Sequence, residues 1–200
     1  MFVFLDDVQY TKRDWRNRNL FHLNGKDEWL TVPVRSHNRS EKILNIKISS
    51  NTEWKKLHLD KFKASYHQTK FFTDAFELFQ LIEQDCGDLL STLNINTTKE
   101  VASYLGIETQ FQKSSDLDIY GQSASEKLAL IVKNLGGEVY VSGPKARDYL
   151  ELSIFDQLNI KVEFVSHNYA PYERGDFEST TNYSVLDLIS YHGSDSYLYL

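Results

Sequence analysis

From Thr109 onward, stretches with strand character alternate with stretches of helical periodicity, and this alternation limits the architectures open to the chain. Thr109–Lys113 is a short strand. Ser123 and Glu126 then stand as a capping pair ahead of Leu128, Ile131, Val132 and Leu135, which make one apolar helical stripe that Gly136-Gly137 ends. Glu138–Ser142 is a strand, Arg147–Leu158 is partly helical, and Ile160–Phe164 is the last clear strand. Strands separated by helices pair in parallel, because the crossover has to return to the same edge of the sheet. Phe2–Leu5, an apolar run, reads as one more buried strand, so the class is α/β with a mostly parallel sheet.

Between these two regions the texture differs. Leu20–Leu23 and Trp29–Val34 flank Asn24-Gly25, two residues that tolerate positive φ and so announce a tight hairpin. Ile43–Ile48 is expected to add a further strand, making an antiparallel excursion over residues 20–50. Residues 52–106 read as a helical middle region. One helix opens at Asn51-Thr52-Glu53-Trp54 and carries Leu57, Lys61, Phe62 and Tyr66. A long helical pattern follows from Thr73 through Ala75, Phe79, Ile82, Cys86, Leu89, Leu90 and Leu93. Thr97 with Glu100 is expected to cap a further helix that Gly106 stops. With residues 107–200 as the strand–helix–strand part, the whole chain of 200 residues is expected to be a single domain.

Composition narrows the class of function. A hydrophobic content of 41% and an aromatic content of 14% supply a packed core, which excludes disorder. No apolar run reaches the roughly 20 residues that span a bilayer, and no signal-peptide pattern is present. A lone Cys86 forms no disulfide framework and no cysteine metal cluster, and it fits a reducing, cytoplasmic setting. The net charge of −6 conceals an asymmetry: residues 1–70 hold 14 Lys and Arg against 8 Asp and Glu, while residues 71–200 hold 8 against 20. A basic first half suits a small phosphorylated ligand, and the acidic whole and the lack of any nucleic-acid motif argue against nucleic acid.

Chemistry-bearing residues concentrate just past the first strand, where a rigid scaffold presents a loop to solvent. Asp6 and Asp7 are candidate catalytic carboxylates; as neighbours on extended backbone they should point different ways, one to the ligand and one to anchor the loop. Gln9, Asn17 and Asn19 can serve sugar hydroxyls or an amide, Arg18 and Lys12 a phosphate, and Tyr10 and Trp15 a base or sugar face. Taken singly, Trp15 reads rather as a core or hinge residue, and the two aspartates also fit a hydrogen-bonded turn. Ser142, Gly143, Arg147 and Tyr149 lie on a strand-to-helix turn, Ser114 and Asp116 on another strand end, and Ser184 with Asp187 reads first as a helix cap. The six histidines show no metal-ligand spacing, and neither a Walker pattern nor a nucleophile elbow occurs, so no metal is expected and hydrolase chemistry is disfavoured.

The run Asp6-Asp7-Val8-Gln9-Tyr10-Thr11-Lys12-Arg13-Asp14-Trp15-Arg16-Asn17-Arg18-Asn19 resembles the signature of the WbqC-like family, bacterial proteins associated with loci for lipopolysaccharide O-antigen and other surface polysaccharides. The likeness continues through Trp29–Val34, Ile43–Ile48, Trp54, Tyr66, Phe71-Phe72, Ser114–Leu117, Tyr140–Leu150 and Ser184–Leu188, in the family's order. Two departures stand out. The family pattern opens upstream with a strand and a Gln-Pro-x-aromatic-x-Pro-aromatic loop that this chain lacks, so Met1 reads as an internal methionine at the family's second strand. The Pro usual before the last block is replaced by Thr181-Asn182-Tyr183.

By analogy with such relatives, the resemblance implies a Rossmann-like three-layer fold. It implies a role in surface-polysaccharide biosynthesis, as a transferase that acylates or aminoacylates a nucleotide- or lipid-linked amino sugar. Asp6 or Asp7 would be the general base, with a pKa raised toward neutrality. Lys12, Arg18 and Arg147 would neutralise phosphate, the nucleotide being part of substrate or donor. It brings Ser142, Gly143, Tyr149 and Asp187 into the site. A non-catalytic binding module for sugar nucleotides or glycan precursors, working beside polysaccharide assembly enzymes, and a truncated inactive member are the other readings.

Overall fold

The computed structural model describes residues 1–81, 87–166, 170–175, 177–179 (backbone) and 183–200. Ile82, Cys86, His167, Thr181 and Asn182, which the sequence reading uses, lie outside these residues. The chain forms two compact units, Met1–Leu5 with Phe111–Asn168, and Asp6–Gln110 with Tyr169–Leu200.

The first unit is the α/β part. Strand β1 (Phe2–Phe4) pairs in parallel with β4 (Phe111–Lys113), and β5 (Val139–Ser142) with β6 (Lys161–Phe164). Helix α4 (Ala124–Asn134) begins as expected, because the Ser123 hydroxyl accepts the Glu126 N–H at 3.1 Å. It ends at Gly136 with φ +70°, where Gly137 N–H returns to Val132 O. Ala129 of α4, Ala146, Leu150, Phe155 of α5 (Leu152–Gln157) and Ile160 form its core. Phe2 is half exposed, so β1 is not the buried strand its composition suggests. The described strands pair only in twos, and no pairing extends them into the expected Rossmann-like three-layer sheet.

The second unit is built on the hairpin of β2 (Arg18–Leu23) and β3 (Lys26–Thr31). Asn24 and Gly25 have φ of +50° and +75°, the turn that matches the twist of the two strands. Phe21, Leu23 and Leu30 face inward onto Leu59, Phe62 and Tyr66 of α1 (Glu53–Tyr66), Ala75 and Phe79 of α2 (Phe72–Gln80), and Ile189 of α6 (Val185–His192). A second cluster joins Tyr10, Ile46, Ile48 and Trp54 to Leu90 and Leu93 of α3 (Leu90–Tyr104).

Three expectations are corrected in this unit. Ile43–Asn45 is a 3-10 turn and not part of a strand; a single bridge, Ile48 to Val34, remains of the expected pairing, and Lys47 bridges instead to Leu89, a residue of the expected long helix. Thr97 lies inside α3 and starts no helix, since its hydroxyl donates back to Leu93 O at 2.9 Å and satisfies itself within the turn. The strand β6 is not the last, because β7 (Tyr172–Arg174) and β8 (Phe177–Ser179) make an antiparallel hairpin. Gly106 does stop α3: its φ is +68° and Ile107 N–H reaches back to Ala102 O.

His58 is packed on α1 against Trp54, ring centroids 5.3 Å apart, and burial holds its pKa down to about 4 from 6.5. The folded state therefore keeps His58 neutral where the unfolded chain binds a proton. Stability should fall as pH drops from 6.5 toward 4, with no further loss from this group below that. Urea denaturation midpoints measured across this range should decline in the wild type and decline less in His58→Gln.

Candidate functional site

The signature run folds as a ladder followed by an exposed loop. Residues 6–10 lie alongside 41–44: Leu44 N–H donates to Asp6 O at 2.7 Å, Ile43 N–H to Val8 O at 2.9 Å, and Tyr10 N–H to Glu41 O at 2.8 Å. The Gln9 side chain adds a bond to Arg39 O at 2.8 Å. Tyr10 is buried, with its ring edge-on to His37 at 5.1 Å, and burial raises its hydroxyl pKa. Gln9 and Tyr10 thus hold a loop in place through their own side chains. Asp6 is buried and Asp7 half-buried.

The loop itself is pinned at both ends. Asp14 accepts from the Arg16 backbone and pairs with its guanidinium, and Asn94 of α3 donates to Arg16 O at 2.7 Å. Asn17 clamps the end of β3: Val32 N–H donates to Asn17 O at 2.7 Å, and Asn17 Nδ2 donates to Val32 O at 3.0 Å. Between these anchors Trp15 stands 63% exposed, which corrects its reading as a core residue. Its ring meets that of Trp29 at 5.0 Å, and the Arg18 guanidinium lies 4.3 Å from the Trp29 ring on the other strand. Strand alternation puts Arg18 and Trp29 on the outward face of the hairpin, since Phe21, Leu23 and Leu30 take the inward one. Among the described residues, Asn17 Oδ1 and Arg18 Nε are buried with no hydrogen-bond partner, an arrangement that costs about 1–3 kcal/mol per group. Asn19 Oδ1 accepts the Leu20 N–H and serves the strand, while Lys12 is exposed.

Beside the ladder is an open cleft of about 330 Å³, lined by Arg35, His37, Asn38, Glu41, Asn45 and Lys47 among others. None of these residues is a site candidate from the sequence, although Asn45 and Lys47 lie in the family-like block Ile43–Ile48. The available signal was the excess of cations in the first 70 residues, several of which fall in this aperiodic stretch.

The remaining candidates divide between the units. In the first, Ser114 is buried at the start of a 3-10 turn and Asp116 pairs with Lys113 at 3.0 Å. The turn after β5 offers an anion little: Pro144 has no N–H, and Ala146 N–H already donates to Gly143 O. Arg147 lies over the Phe164 ring at 4.9 Å, and Tyr149 is 63% exposed. In the second unit Asp187 is fully buried. Ser184 caps α6 weakly, through Leu186 N–H at 3.4 Å, but Asp187 does not close the expected capping box. Its Oδ1 accepts from Tyr66 Oη and Arg174 Nη2, both at 2.6 Å. Its Oδ2 accepts from Tyr172 Oη at 2.6 Å and Arg174 Nε at 2.8 Å. Burial, reinforced by the carboxylate, drives the Tyr66 pKa far upward, so that hydroxyl stays a donor. Asp187 is committed to this network, and the pairing of residues so distant in sequence left no local signal.

Among the described residues no helix is long and apolar enough to cross a membrane, and no group of three or more His, Cys, Asp or Glu gathers as a metal site. An α/β protein with an aromatic and cationic surface and, in the same unit, a polar cleft is the class these observations define. The model of the WbqC-like protein family matches residues 1–199, through both units, and the chain belongs to that family. It is also similar to an uncharacterized protein of Mycobacterium tuberculosis, Rv1507c, with 33% identity over 203 residues that cover all of this chain and 87% of the relative. No solved structure matches the chain.

Removing the Asp187 charge strands Arg174 in the core. Asp187→Ala is expected to lower unfolding stability by about 3–5 kcal/mol, and Tyr66→Phe by about 1–3 kcal/mol. Urea titration monitored by circular dichroism measures both.

Proposed function

We propose that this protein acts in bacterial surface-polysaccharide biosynthesis, such as that of O-antigen, as a transferase that acylates or aminoacylates a nucleotide- or lipid-linked amino sugar. One observation carries the sugar part of this reading: the exposed Trp15 ring leans against that of Trp29, which the Arg18 guanidinium approaches, and Trp15 and Arg18 belong to the run that resembles the family's signature. A pyranose offers one apolar C–H face and a rim of hydroxyls, which suits an indole with polar groups at its border. Arg18 and Lys12 supply positive charge for the phosphate through which such sugars are activated. Asp7, the less buried of the two aspartates, is the better-placed base to take a proton from the sugar amine as it attacks the carbonyl of an acyl thioester, whose C–S bond breaks and whose thiol leaves with a proton as the amide forms. A cytoplasmic site of action follows from a nucleotide-linked substrate. The competing reading, a non-catalytic sugar-binding module, draws on the burial of Asp6 and its place in the ladder.

Thermal shift and tryptophan fluorescence titrations with nucleotide sugars and acyl-CoAs test the proposal. A nucleotide amino sugar is expected to bind and quench fluorescence. Trp15→Ala should weaken it about tenfold or more, by removal of about 1–3 kcal/mol of stacking, with little change in Tm because Trp15 is exposed. Asp7→Asn should retain binding and lose turnover. Binding without turnover for any acyl donor would favour the module, and silence toward every activated sugar would sink the sugar reading.

A further inference from the structure

The cleft beside the ladder has a composition and size that point to one kind of ligand. We propose that it binds the phosphorylated end of a single sugar, a hexosamine 1-phosphate unit, with Arg35 and Lys47 taking the phosphate and Glu41 and His37 the hydroxyls. The proposal deepens the sugar reading above and rests on it for the identity of the sugar; it assigns the phosphate borne by the sugar itself to this cleft and leaves Arg18 and Lys12 the remainder of the activating group.

Size comes first. About 330 Å³ is at the lower end of the range of roughly 300–1,000 Å³ over which ligand pockets occur, enough for one pyranose with its phosphate and too little to enclose a nucleoside as well. Chemistry comes second. The named lining residues are all polar, with donors on Arg35, Lys47 and Asn38 and acceptors on Glu41 and His37. An acyl chain or a base would call for apolar or aromatic walls. His37 Nδ1 donates to Arg35 O at 2.9 Å, which leaves Nε2 as the acceptor in the neutral ring. Asn45 Nδ2 donates to Glu41 Oε1 at 2.8 Å and steadies that carboxylate within the wall.

Charge supplies the third argument. Arg35 and Lys47 both approach a single oxygen, Asp88 Oδ2, at 3.3 and 3.4 Å. Charge-assisted bonds are ordinarily about 2.7–2.9 Å, so both pairs are loose, and all three side chains are about half exposed. Exposed pairs of this kind contribute little and exchange readily. A phosphate presents three oxygens where Asp88 offers one, so the two cations can leave Asp88 for the ligand. Arg35 Nε is held meanwhile by Ile48 O at 3.0 Å, which keeps the guanidinium beside the cleft.

Isothermal titration of the whole chain with N-acetylglucosamine 1-phosphate, inorganic phosphate and N-acetylglucosamine decides the matter. The sugar phosphate should bind about tenfold or more tightly than either fragment. Lys47→Ala should weaken it about tenfold with an unchanged melting temperature, because Lys47 is exposed. Asp88→Asn, which removes the competing carboxylate, should tighten it about threefold. Equal affinity for inorganic phosphate would overturn the sugar assignment. Binding of the sugar phosphate that ignores Lys47 and Asp88 yet falls in Trp15→Ala would overturn the cleft while leaving the proposed function standing. No binding of any of the three would overturn the cleft as well, and the nucleotide-sugar titrations then judge the function separately.

Discussion

The second unit is organised around a buried carboxylate. Asp187 sits at zero exposure, and an isolated charge there would be untenable, so every oxygen lone pair that points inward has to be answered. Arg174 answers with two parallel N–H bonds, and Tyr66 and Tyr172 with one hydroxyl each. These partners come from α1 and β7 while Asp187 itself stands on α6, so satisfying one carboxylate ties three elements together. The Arg174 guanidinium is bounded in turn by the faces of Tyr183 and Tyr191, at 4.7 and 5.3 Å. Burial is the largest single influence and works against this cation, but the charge and hydrogen bonds of Asp187, with Tyr191 and Tyr66, together outweigh it and raise its pKa. The network extends toward the hairpin, since Tyr183 donates to Asp27 Oδ1 at 2.7 Å, and that bond together with His22 holds the Asp27 pKa below its ordinary value.

The hairpin held in this way carries the surface that the family signature builds. Its inward face belongs to the core with Phe62 and Phe79, which leaves Arg18 and Trp29 outward, and the Asn17 clamp and the Asn94 bond bring Trp15 onto them. The same run, a few residues earlier, forms the ladder that supports the cleft. A single stretch of sequence therefore serves two surfaces, one with its side chains and one chiefly with its backbone. This division explains a signature in which Asp6 and Tyr10 are buried while Lys12 and Trp15 are exposed.

Much of the local structure was legible. The Asn24-Gly25 turn, the Ser123 cap, the Gly136 and Gly106 stops and the parallel pairing of β5 with β6 follow from short-range rules, and each is found where those rules put it. Where the reading failed, a longer-range partner had intervened. Ile43–Ile48 has the composition of a strand, but the residues opposite it are the irregular ladder of 6–10, and Ile46 and Ile48 are drawn to α3 instead. Thr97 looks like a cap, yet α3 is already under way because Leu90 and Leu93 are anchored in the second cluster. Trp15 looks like core material, and it is exposed because the loop around it is pinned from both sides.

The order of residues by itself determined the α/β class, the positions of most turns and helix ends, the basic character of the first half and membership of the WbqC-like family. These depend on periodicity, on backbone conformations that only certain residues adopt, and on residue identity. Tertiary structure alone decided that Asp187 is a core residue, that Trp15 and Trp29 meet, and that Arg35 and Lys47 line one cleft and share Asp88. Such pairings join residues far apart along the chain, and their energy depends on distance and burial in space, which no local pattern in the sequence encodes.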